Sequence, residues 1–592
     1  MKNLRLVFLA IAFLSGFSVQ TWANRYFITE KGAGDRSGDS WENAYSNDEM
    51  LLLFPDFLED GDSLFVAAGT YTTKGSETAG NPASMFYCKN AVSIFGGYPT
   101  TMKGTDITIS YPTIYETIFS GDLTGKGVVD SSCSSNFLYY FTENASIEIK
   151  GISFTNCFHS GGNNLTAYNF DNDMSDANGY GALVLQNTNA VIQWCQFYNN
   201  KTPEPTDASD GSKYYGGALN IQGCDLLHVK DCIFRDNFAA RCGGAIGIKS
   251  PSENNPIISN VIVERSLFDS NCLGTAFNGK YGGAININSK GNCYVINSTF
   301  ARAKYFANGG ALSTGNPEGI FFVISSTLAE NDDYYYYTSA TAGGAYGKNL
   351  RGGNGVFRLA NTINVCNKVD KYYSFTADTY NKVCATYNEK FTTGDQLTFS
   401  GYNLLGIIGT IDADKKAFVS PTDKKEVYYE DVFGKTYDIT NPASTSLADN
   451  GGFSKTMIPT DNISQGMSLN EMQALKQAWN IPDVIWNAFD LTVDQRGYPR
   501  AATGNSTIGA YEKNSTQIST ASSSNRPVLS TLDDAVFSVS NTASQQICVY
   551  SMNGVLVQKY TGVANKCQIN LTQFEKGIYL IQGVDFSFKV IK

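Results

Sequence analysis

The phrase Gly-Gly-Ala recurs along the middle of this 592-residue chain. It begins at residues 216, 243, 282, 309 and 343, and a Gly-Tyr-Gly-Ala version begins at residue 179. The same region holds segments that share one rhythm of apolar residues: SIEIKGISF, AVIQWCQF, LLHVKDCIF, VIVERSLF, CYVINSTF and FFVISSTL. A constant local pattern with a variable period is typical of a solenoid, in which each coil buries its apolar side chains against the next. The repeat therefore predicts an elongated stack of coils.

Apolar residues in the aligned segments alternate at first and then change parity. Ile147 and Ile149 are two residues apart, Ile152 follows after three, and Phe154 comes two later. Strict alternation would keep every inward side chain on one parity, so the shift predicts two short strands separated by a bend. The bend residues are mostly polar: Gly151, Trp194, Asp231, Arg265, Asn297 and Ser325.

Further columns complete each coil. An apolar column consists of Phe154, Phe197, Phe234, Phe268, Phe300 and Leu328, and an asparagine stands three residues after four of these positions, as Asn200, Asn237, Asn271 and Asn331. Asparagine tolerates left-handed backbone and suits a repeated corner. The glycines of Gly-Gly-Ala allow a turn with positive φ, and the alanine enters a core where space is small. With coils about 4.8 Å apart, the columns predict an all-β fold, a right-handed parallel β-helix.

The chain divides into a leader, the β-helix and a C-terminal domain. Residues 1–23 have a basic start, a short apolar run and small residues at their end, which predicts a secretory signal peptide cleaved between Ala23 and Asn24. The β-helix is predicted over 24–512, with an irregular insertion at about 368–446. A Ser/Thr/Asn-rich linker over 513–527 leads to strand-like runs in 528–592, which predict a small β-sandwich.

The start and the outer face of the solenoid both need covering. Ser46 and Glu49 form a capping box before a short apolar helix, which would cover the first coil. Outward positions of the later coils are apolar, although a solvated sheet face should be polar. These positions are Ile262, Tyr294, Ile296, Phe322 and Ile324. We expect residues 368–449 to cover them; the alternative is a binding surface for another molecule.

Charge and cysteine content limit the possible functions. The chain has 44 Lys and Arg against 55 Asp and Glu, a net charge of −11, so binding to nucleic acid through bulk charge is not expected. The 13 cysteines match no metal-site spacing and mostly lie in strand-like runs, which is typical of buried thiols. Export nevertheless permits disulfides, and the pairs to test are Cys366 with Cys384 and Cys548 with Cys567.

Three parts of the sequence resemble known families. The coils, with GDRSGDSWENAY and GDSLFVAAGTY before them, resemble right-handed β-helix surface proteins of the polymorphic outer-membrane and pectin-lyase-like type. LADNGG, DQRGYPR and IGAYE resemble the closing part of β-helix proteins of the choice-of-anchor group. The tail from VYSMNGVLVQKY to GIYLIQGVDFSFKVIK resembles the type A C-terminal sorting domain of the type IX secretion system of Bacteroidetes. The last resemblance implies export by the outer-membrane secretion machinery, followed by cell-surface attachment or release.

Families that the coils resemble include polysaccharide lyases and glycoside hydrolases, so an enzyme is an alternative. Lys230 and Glu264 share an outward column one coil apart, which is first of all a cross-strand ion pair. His228 points outward and is expected to be a lone surface side chain, and His159 lies in a Gly-rich loop without an evident partner. These positions do not form a pair of facing carboxylates, which glycoside hydrolysis requires. We assign no catalytic residue.

An acidic loop is the one candidate for a metal. Asp171, Asp173 and Asp176 could hold Ca²⁺, but the glycine expected at the sixth position of an EF-hand loop is missing. We therefore expect no cofactor, and keep Ca²⁺ as an alternative.

Tyrosines cluster in the variable corner that precedes Gly-Gly-Ala. They are Tyr214, Tyr215, Tyr281, Tyr334, Tyr335, Tyr336 and Tyr337. Such rings would offer stacking surfaces for sugars or contact area for a protein, although packing within their own loops is the simpler explanation. We expect a secreted or cell-surface adhesin that binds a glycan or a surface protein. The alternatives are a carbohydrate-active enzyme and a structural surface component.

Overall fold

A computed structural model describes most of the chain from residue 23 onward. The described ranges are 23–54, 57–73, 86–108, 110–134, 136–158, 181–203, 215–249, 258–274, 282–304, 310–314, 316–331, 349–352, 355–366, 397–406, 418–438, 441–463, 465–513, 528–533, 535–542, 546–551, 555–561, 565–582 and 587–592. The predicted signal peptide and almost all of the predicted linker lie outside these ranges.

Three long parallel sheets form a right-handed β-helix, as predicted. Sheet 1 contains β1 (Arg25–Ile28), β2 (Ser63–Ala67), β5 (Ser93–Tyr98), β8 (Ser146–Lys150), β11 (Asn189–Gln193), β14 (Leu227–Lys230), β18 (Ser259–Glu264), β22 (Gly291–Ile296), β25 (Gly319–Ile324), β28 (Val356–Ala360), β30 (Leu397–Phe399) and β32 (Phe418–Val419). Sheet 2 contains β3 (Gly69–Thr72), β6 (Thr117–Ser120), β9 (Ile152–Thr155), β12 (Gln196–Tyr198), β15 (Ile233–Arg235), β19 (Leu267–Asp269), β23 (Thr299–Ala301), β26 (Thr327–Ala329), β29 (Ile363–Asn364) and β31 (Leu404–Leu405). Sheet 3 contains β4 (Phe86–Cys88), β7 (Leu138–Phe141), β10 (Leu183–Gln186), β13 (Leu219–Gln222), β17 (Ile246–Lys249), β21 (Ile285–Ile287), β24 (Leu312–Thr314) and β27 (Leu350–Gly352).

The inward columns stack in the register that the alignment predicts. Phe197 pairs with Phe154 on one side and with Phe234 on the other. Successive phenylalanine rings from Phe154 to Phe300 lie nearly parallel, with centroids 4.5–4.9 Å apart. Each ring thus buries its faces against its neighbours, which is a favourable aromatic arrangement. The core of the β-helix follows directly from this repetition.

The predicted bend is a single residue with left-handed backbone between sheets 1 and 2. Its φ is 55° at Trp194, 52° at Asp231, 48° at Arg265 and 49° at Asn297. One such residue turns the chain and moves the inward side chains to the other parity, which explains the shift in the sequence.

The asparagine column has a different role from the predicted one. The left-handed residue at that corner is the preceding one, for example Asp236 with φ 53°. Asn237 itself is buried; its Nδ2 donates to Phe197 O at 2.9 Å and to Asn271 Oδ1 at 3.0 Å. The asparagines therefore form a hydrogen-bonded ladder that connects the coils and satisfies buried peptide groups.

The two glycines of Gly-Gly-Ala have separate structural causes. The first has positive φ, 71° at Gly216 and 62° at Gly243. The second lies against the next coil: a Cβ on Gly217 would stand 2.3 Å from Gly244 O. The prediction of positive φ therefore holds only for the first glycine, whereas close approach of backbones requires the second.

The N-terminal cap forms as predicted. Helix α1 (Asn47–Leu53) begins after Ser46, whose backbone N–H donates to Glu49 Oε2 at 2.8 Å while its hydroxyl accepts from Glu49 N–H. Met50 and Leu53 are buried against the first coils. The helix thus closes the open end of the core.

The insertion predicted at about 368–446 is not irregular throughout. Strands β30, β31 and β32 lie within it and continue sheets 1 and 2. Short strands with little repeat signature concealed these extra coils in the sequence.

Residues 427–513, here called the cover segment, pack on the outside of the later coils. They contain α2 (Tyr429–Phe433), β33 (Leu447–Ala448), β34 (Thr456–Met457), α3 (Leu469–Ala478), α4 (Asp483–Trp486) and 3₁₀ turns at Pro442–Ser444 and Asp461–Ile463. A separate 3₁₀ turn at Trp41–Asn43 lies near the N-terminus. No helix among the described residues is long and apolar enough to cross a membrane.

A cover on the apolar face was predicted, but from the wrong residues. Ile262, Tyr294 and Phe322 are buried under Met472 and Trp479, together with other side chains from 467–491. Within the predicted range 368–449, residues 429–447 instead help to cover the outer face of sheet 2. Sequence spacing could not distinguish these segments because both carry scattered apolar residues.

A small antiparallel β-sandwich follows, as predicted. One sheet contains β35 (Val528–Asp533), β36 (Val536–Thr542) and β39 (Asn565–Asn570); the other contains β37 (Gln546–Ser551), β38 (Leu556–Thr561), β40 (Ile578–Gln582) and β41 (Ser587–Ile591). A further two-stranded pair beside the β-helix consists of β16 (Phe238–Ala239) and β20 (Cys272–Leu273).

Cys548 and Cys567 lie in different sheets and form no disulfide, and Cys384 lies outside the described residues.

Truncation of the phenylalanine column tests the register. Phe234→Ala should lower the free energy of unfolding by about 3–5 kcal/mol, because it empties a fully buried ring position. Ile233→Ala, one residue away on the outer face, should have a clearly smaller effect. Urea unfolding followed by circular dichroism measures both. Equal losses would contradict the assignment of inward and outward positions.

Candidate functional site

The cover segment leaves the outer faces of the earlier coils open. The first fully covered apolar residue is Ile262 on sheet 1 and Leu267 on sheet 2, whereas Leu226 and Ile233, one coil earlier, are only partly buried against the cover. Toward the N-terminus, Pro112 lies over the bend at Gly151, where a Cβ would come within 2.7 Å of its Cγ. Between these limits the bend at Trp194 is exposed. We call this part of the surface the open ridge.

One coil supplies an uncharged row of side chains across the open ridge. The neutral row consists of Val191, Gln193, Trp194, Gln196 and Tyr198. The alternation of β11 and β12 turns these residues outward, while Ile192, Cys195 and Phe197 enter the core. Trp194 is 41% exposed and the other four members are partly exposed. An aromatic ring beside amides and a phenol can contact both apolar and polar parts of a ligand.

Trp194 differs from the other bend residues in what holds its side chain. Arg265 is paired with Asp231, Asn297 donates to carbonyl groups of the cover segment, and the hydroxyl of Tyr402 donates to Glu471. In the described part of the chain, no hydrogen bond or ring contact holds the indole of Trp194. Left-handed backbone is unfavourable for a bulky residue. Left-handed backbone is common to the bends, but the combination with a large, exposed aromatic ring makes Trp194 the candidate for contact with another molecule.

Two members of the neutral row have defined polar environments. The Gln193 Nε2 donates to Asp231 Oδ2 at 3.3 Å, which orients its amide. Burial, assisted by the nearby charge of Glu116, raises the pKa of Tyr198, so its hydroxyl remains protonated. The Arg235 guanidinium lies 5.5 Å from the Tyr198 ring centroid, a cation–π contact.

A charged cluster borders the open ridge where the cover segment begins. It consists of His228, Lys230, Asp231, Glu264 and Arg265. Glu264 is fully buried and accepts from His228 Nε2 at 2.8 Å and from Arg265 NH1 at 3.1 Å, while Lys230 Nζ lies 3.4 Å away. It also accepts from the backbone N–H of Asp490 at 3.2 Å. This cluster therefore fastens the cover segment to sheet 1.

The charges of this cluster compensate one another. Burial acts to raise the pKa of Glu264, but the hydrogen bond from His228 and the charges of Arg265 and Lys230 outweigh it, and the pKa lies below its usual value. The Asp231 carboxylate accepts hydrogen bonds from both Nε and Nη2 of Arg265, each at 2.7 Å. Both carboxylates are thus occupied as counterions. This arrangement favours a structural role, because an acid–base pair needs a group that is free to exchange a proton with substrate.

The predicted ion pair of Lys230 and Glu264 is present, but His228 was described wrongly. His228 is only 8% exposed and is paired with Glu264. The sequence concealed this contact because His228 and Glu264 occupy different outward columns, and the interaction crosses diagonally between coils.

The tyrosine corner is only partly within the described residues. Tyr215 is 5% exposed, and Lys249 Nζ lies 5.8 Å from its ring centroid, so this ring offers no open stacking face, contrary to the prediction. The other predicted tyrosines, together with His159 and the acidic loop, lie outside the described residues: Tyr214, Tyr281, Tyr334, Tyr335, Tyr336, Tyr337, Asp171, Asp173 and Asp176. Among described residues, no group of three His, Cys, Asp or Glu could hold a metal ion.

The sequence contained an unused signal for the neutral row. Trp194 is the one tryptophan in a bend column otherwise made of smaller or charged residues, and Gln193 and Gln196 flank it. Only the position of the cover segment shows that this bend is accessible whereas later bends are enclosed.

Comparison with known proteins identifies the C-terminal domain. Residues 533–591 match the family described as "Secretion system C-terminal sorting domain". This region is a type IX sorting domain, so the chain is exported to the cell surface or beyond and interacts with the secretion machinery. No curated protein matches the chain.

Two solved structures are similar in fold over most of the chain. One is the crystal structure of pectate lyase Pel9A, with 13% sequence identity and a TM-score of 0.39, covering 85% of this chain and 98% of that one. The other is the complex structure of XylC with xylose, with 9% identity and a TM-score of 0.30, covering 82% and 98%. The fold assignment here rests on the strands and their register.

Neutralising the buried glutamate tests the fastening of the cover segment. Glu264→Gln should lower the free energy of unfolding at neutral pH by about 3 kcal/mol or more, because buried cations lose their counterion. Glu148→Gln, at an exposed carboxylate paired with Lys150 on the same sheet, should change stability by less than about 1 kcal/mol. Hydrogen exchange at residues 487–492 should rise only in the Glu264 variant. Unchanged exchange there would contradict this role.

Glu264→Gln also tests how the ionisation of Glu264 makes the stability of the fold depend on pH. The folded pKa of Glu264 is lowered, so its stabilising contribution is complete above the unfolded pKa of about 4.3 and is lost as the pH falls below it. The melting temperature of the wild type should therefore fall more between neutral pH and about pH 3 than the melting temperature of Glu264→Gln does. Parallel pH profiles of the two proteins would show that Glu264 is not ionised in the fold.

Removal of the sorting domain tests export. A chain ending at residue 527 should remain in the periplasm with its β-helix folded, because the β-helix core and the sandwich core are separate clusters. Cell fractionation and surface proteolysis measure the distribution. Arrival of the truncated chain at the surface would contradict the sorting role.

Proposed function

We propose that this exported protein is a cell-surface or secreted adhesin whose β-helix binds a glycan at the open ridge. The observation that carries the proposal is Trp194, which is 41% exposed in a left-handed bend and whose indole makes no hydrogen bond or ring contact in the described part of the chain. The uncovered position of this bend between two covered regions supports an interaction with another molecule.

A glycan fits the chemistry of the open ridge better than a protein does. Sugars present apolar C–H faces, which stack on indole, and hydroxyl groups, which exchange hydrogen bonds with amides such as those of Gln193 and Gln196. A standard protein interface needs roughly 20–30 residues a side, whereas the neutral row has five side chains. The arrangement of these five side chains in a single line along one coil favours a narrow, chain-like ligand.

A carbohydrate-active enzyme remains the second candidate. The observation that favours it is the presence of Asp231 and Glu264 beside the open ridge. Against it, each carboxylate is already held by cations. Incubation with polysaccharides, followed by assays for reducing ends and unsaturated products, separates binding from turnover. We expect no product.

Replacement of the tryptophan tests the binding site. With the chain from residue 24 onward, Trp194→Ala should weaken glycan binding by about 1 kcal/mol or more, a rise in Kd of about fivefold or greater, because one stacking surface is lost. Affinity electrophoresis against a polysaccharide panel, followed by calorimetry on the best ligand, measures the change.

An exposed aromatic residue elsewhere provides the matched control. Phe57 near the N-terminal cap is 70% exposed, and Phe57→Ala should leave glycan binding unchanged. Melting temperatures of both variants should remain close to that of the wild type. A Kd for glycan that is unchanged in Trp194→Ala would refute the proposed site.

A further inference from the structure

We infer that the ligand of the open ridge is an uncharged glycan that lies along a single coil, across the bend at Trp194. This inference rests on the proposed function and specifies its ligand class. It follows from the charges on either side of the neutral row and from the direction in which the row extends.

Every member of the neutral row is uncharged, although the coils beside it carry ions. Gln193 lies in register between Lys150 of the preceding coil and Lys230 of the following one. On sheet 2, Tyr198 lies between Thr155 and Arg235. The ions therefore flank the row and leave its centre free of charge.

The flanking cations already have anionic partners. Lys150 Nζ lies 2.6 Å from Glu148 Oε2, and Lys230 Nζ lies 3.4 Å from Glu264 Oε2. Arg235 lies 3.6 Å from the carboxylate of Asp236. A carboxylate or sulfate on the ligand would have to displace one of these groups or remain near it. Together with the net charge of −11, this pairing disfavours an acidic polysaccharide.

Hydrogen-bonding capacity in the row remains available for hydroxyl groups. In the described part of the chain, the amide of Gln196 makes no side-chain hydrogen bond. The Gln193 amide uses one donor on Asp231 and keeps its carbonyl oxygen and second N–H. Amides can donate to and accept from a hydroxyl group without needing a charge on the ligand.

The direction of the row sets the orientation of the ligand. From Val191 to Tyr198 the row follows one coil around the bend at Trp194, over a path on the order of 20 Å at about 3.3 Å per strand residue. Along the β-helix axis, the same surface is interrupted at once by the neighbouring ion pairs. A chain of several sugar units therefore fits along the coil and not along the axis.

The test compares neutral and acidic polysaccharides on the chain from residue 24 onward. Xylan, glucomannan and β-glucan represent neutral ligands, and polygalacturonate, alginate and hyaluronan represent acidic ones. We expect binding to at least one neutral polymer, with Kd changing less than about twofold between low and high salt. Binding of charged ligands would instead weaken strongly with salt.

Variants then distinguish the contribution of the neutral row from that of the charged residues beside it. Gln196→Ala should raise Kd about threefold to tenfold for the neutral ligand, because it removes hydrogen bonds at the ligand. Lys150→Gln is the matched control and should leave the Kd unchanged, since this cation lies outside the row and is paired with Glu148.

The possible failures are distinguishable. Salt-sensitive binding of an acidic glycan that depends on Trp194, Lys150 and Arg235 overturns the neutral ligand class while it leaves the proposed function intact. Binding of no glycan through Trp194, or binding of a protein at this position, overturns both.

Discussion

Parallel hydrogen bonding between coils is the constraint on which the rest of the molecule depends. It places residues of successive coils directly above one another, so a favourable contact in one coil is repeated in the next. The phenylalanine rings stack at 4.5–4.9 Å, and buried asparagines extend the backbone bonding pattern through their amides. The same close spacing requires glycine at the second position of Gly-Gly-Ala, because any Cβ there would meet the carbonyl oxygen of the next coil.

Outward-facing residues also stack in columns, and in the later coils these columns are apolar and need to be buried by the cover segment. The outward column that is polar at Gln193 and Lys230 becomes apolar at Ile296 and Ile324, and α3 and α4 help to bury these positions together with Ile262. The transition occurs at Glu264, whose carboxylate is enclosed by His228, Lys230 and Arg265 and also meets the backbone of Asp490. One buried charge thus connects the covered part of the solenoid with the open part.

The cover segment determines which outer faces of the coils are accessible. It encloses the bends at Asn297, Ser325 and Asn361 and leaves Trp194 accessible. Where the cover meets the open ridge, the carboxylates of Asp231 and Glu264 are paired with Arg265. The exposed part of the ridge is the neutral row, whose side chains are aromatic, amide and aliphatic. This distribution supports adhesion to a glycan in a protein that its C-terminal domain directs out of the cell.

The amino-acid pattern alone was enough to predict the β-helix, its inward columns, the capped start and the separate sorting domain. Each depends on local pattern, which a repeated coil converts directly into contacts between equivalent residues. The folded arrangement was needed to show which residues cover the apolar face, why the asparagines are buried, and that His228 contacts Glu264. These features join positions far apart in the chain or in different columns, and no periodicity specifies such pairs. The accessibility of Trp194 belongs to the same group, because it follows from where the cover segment ends and not from the residue itself.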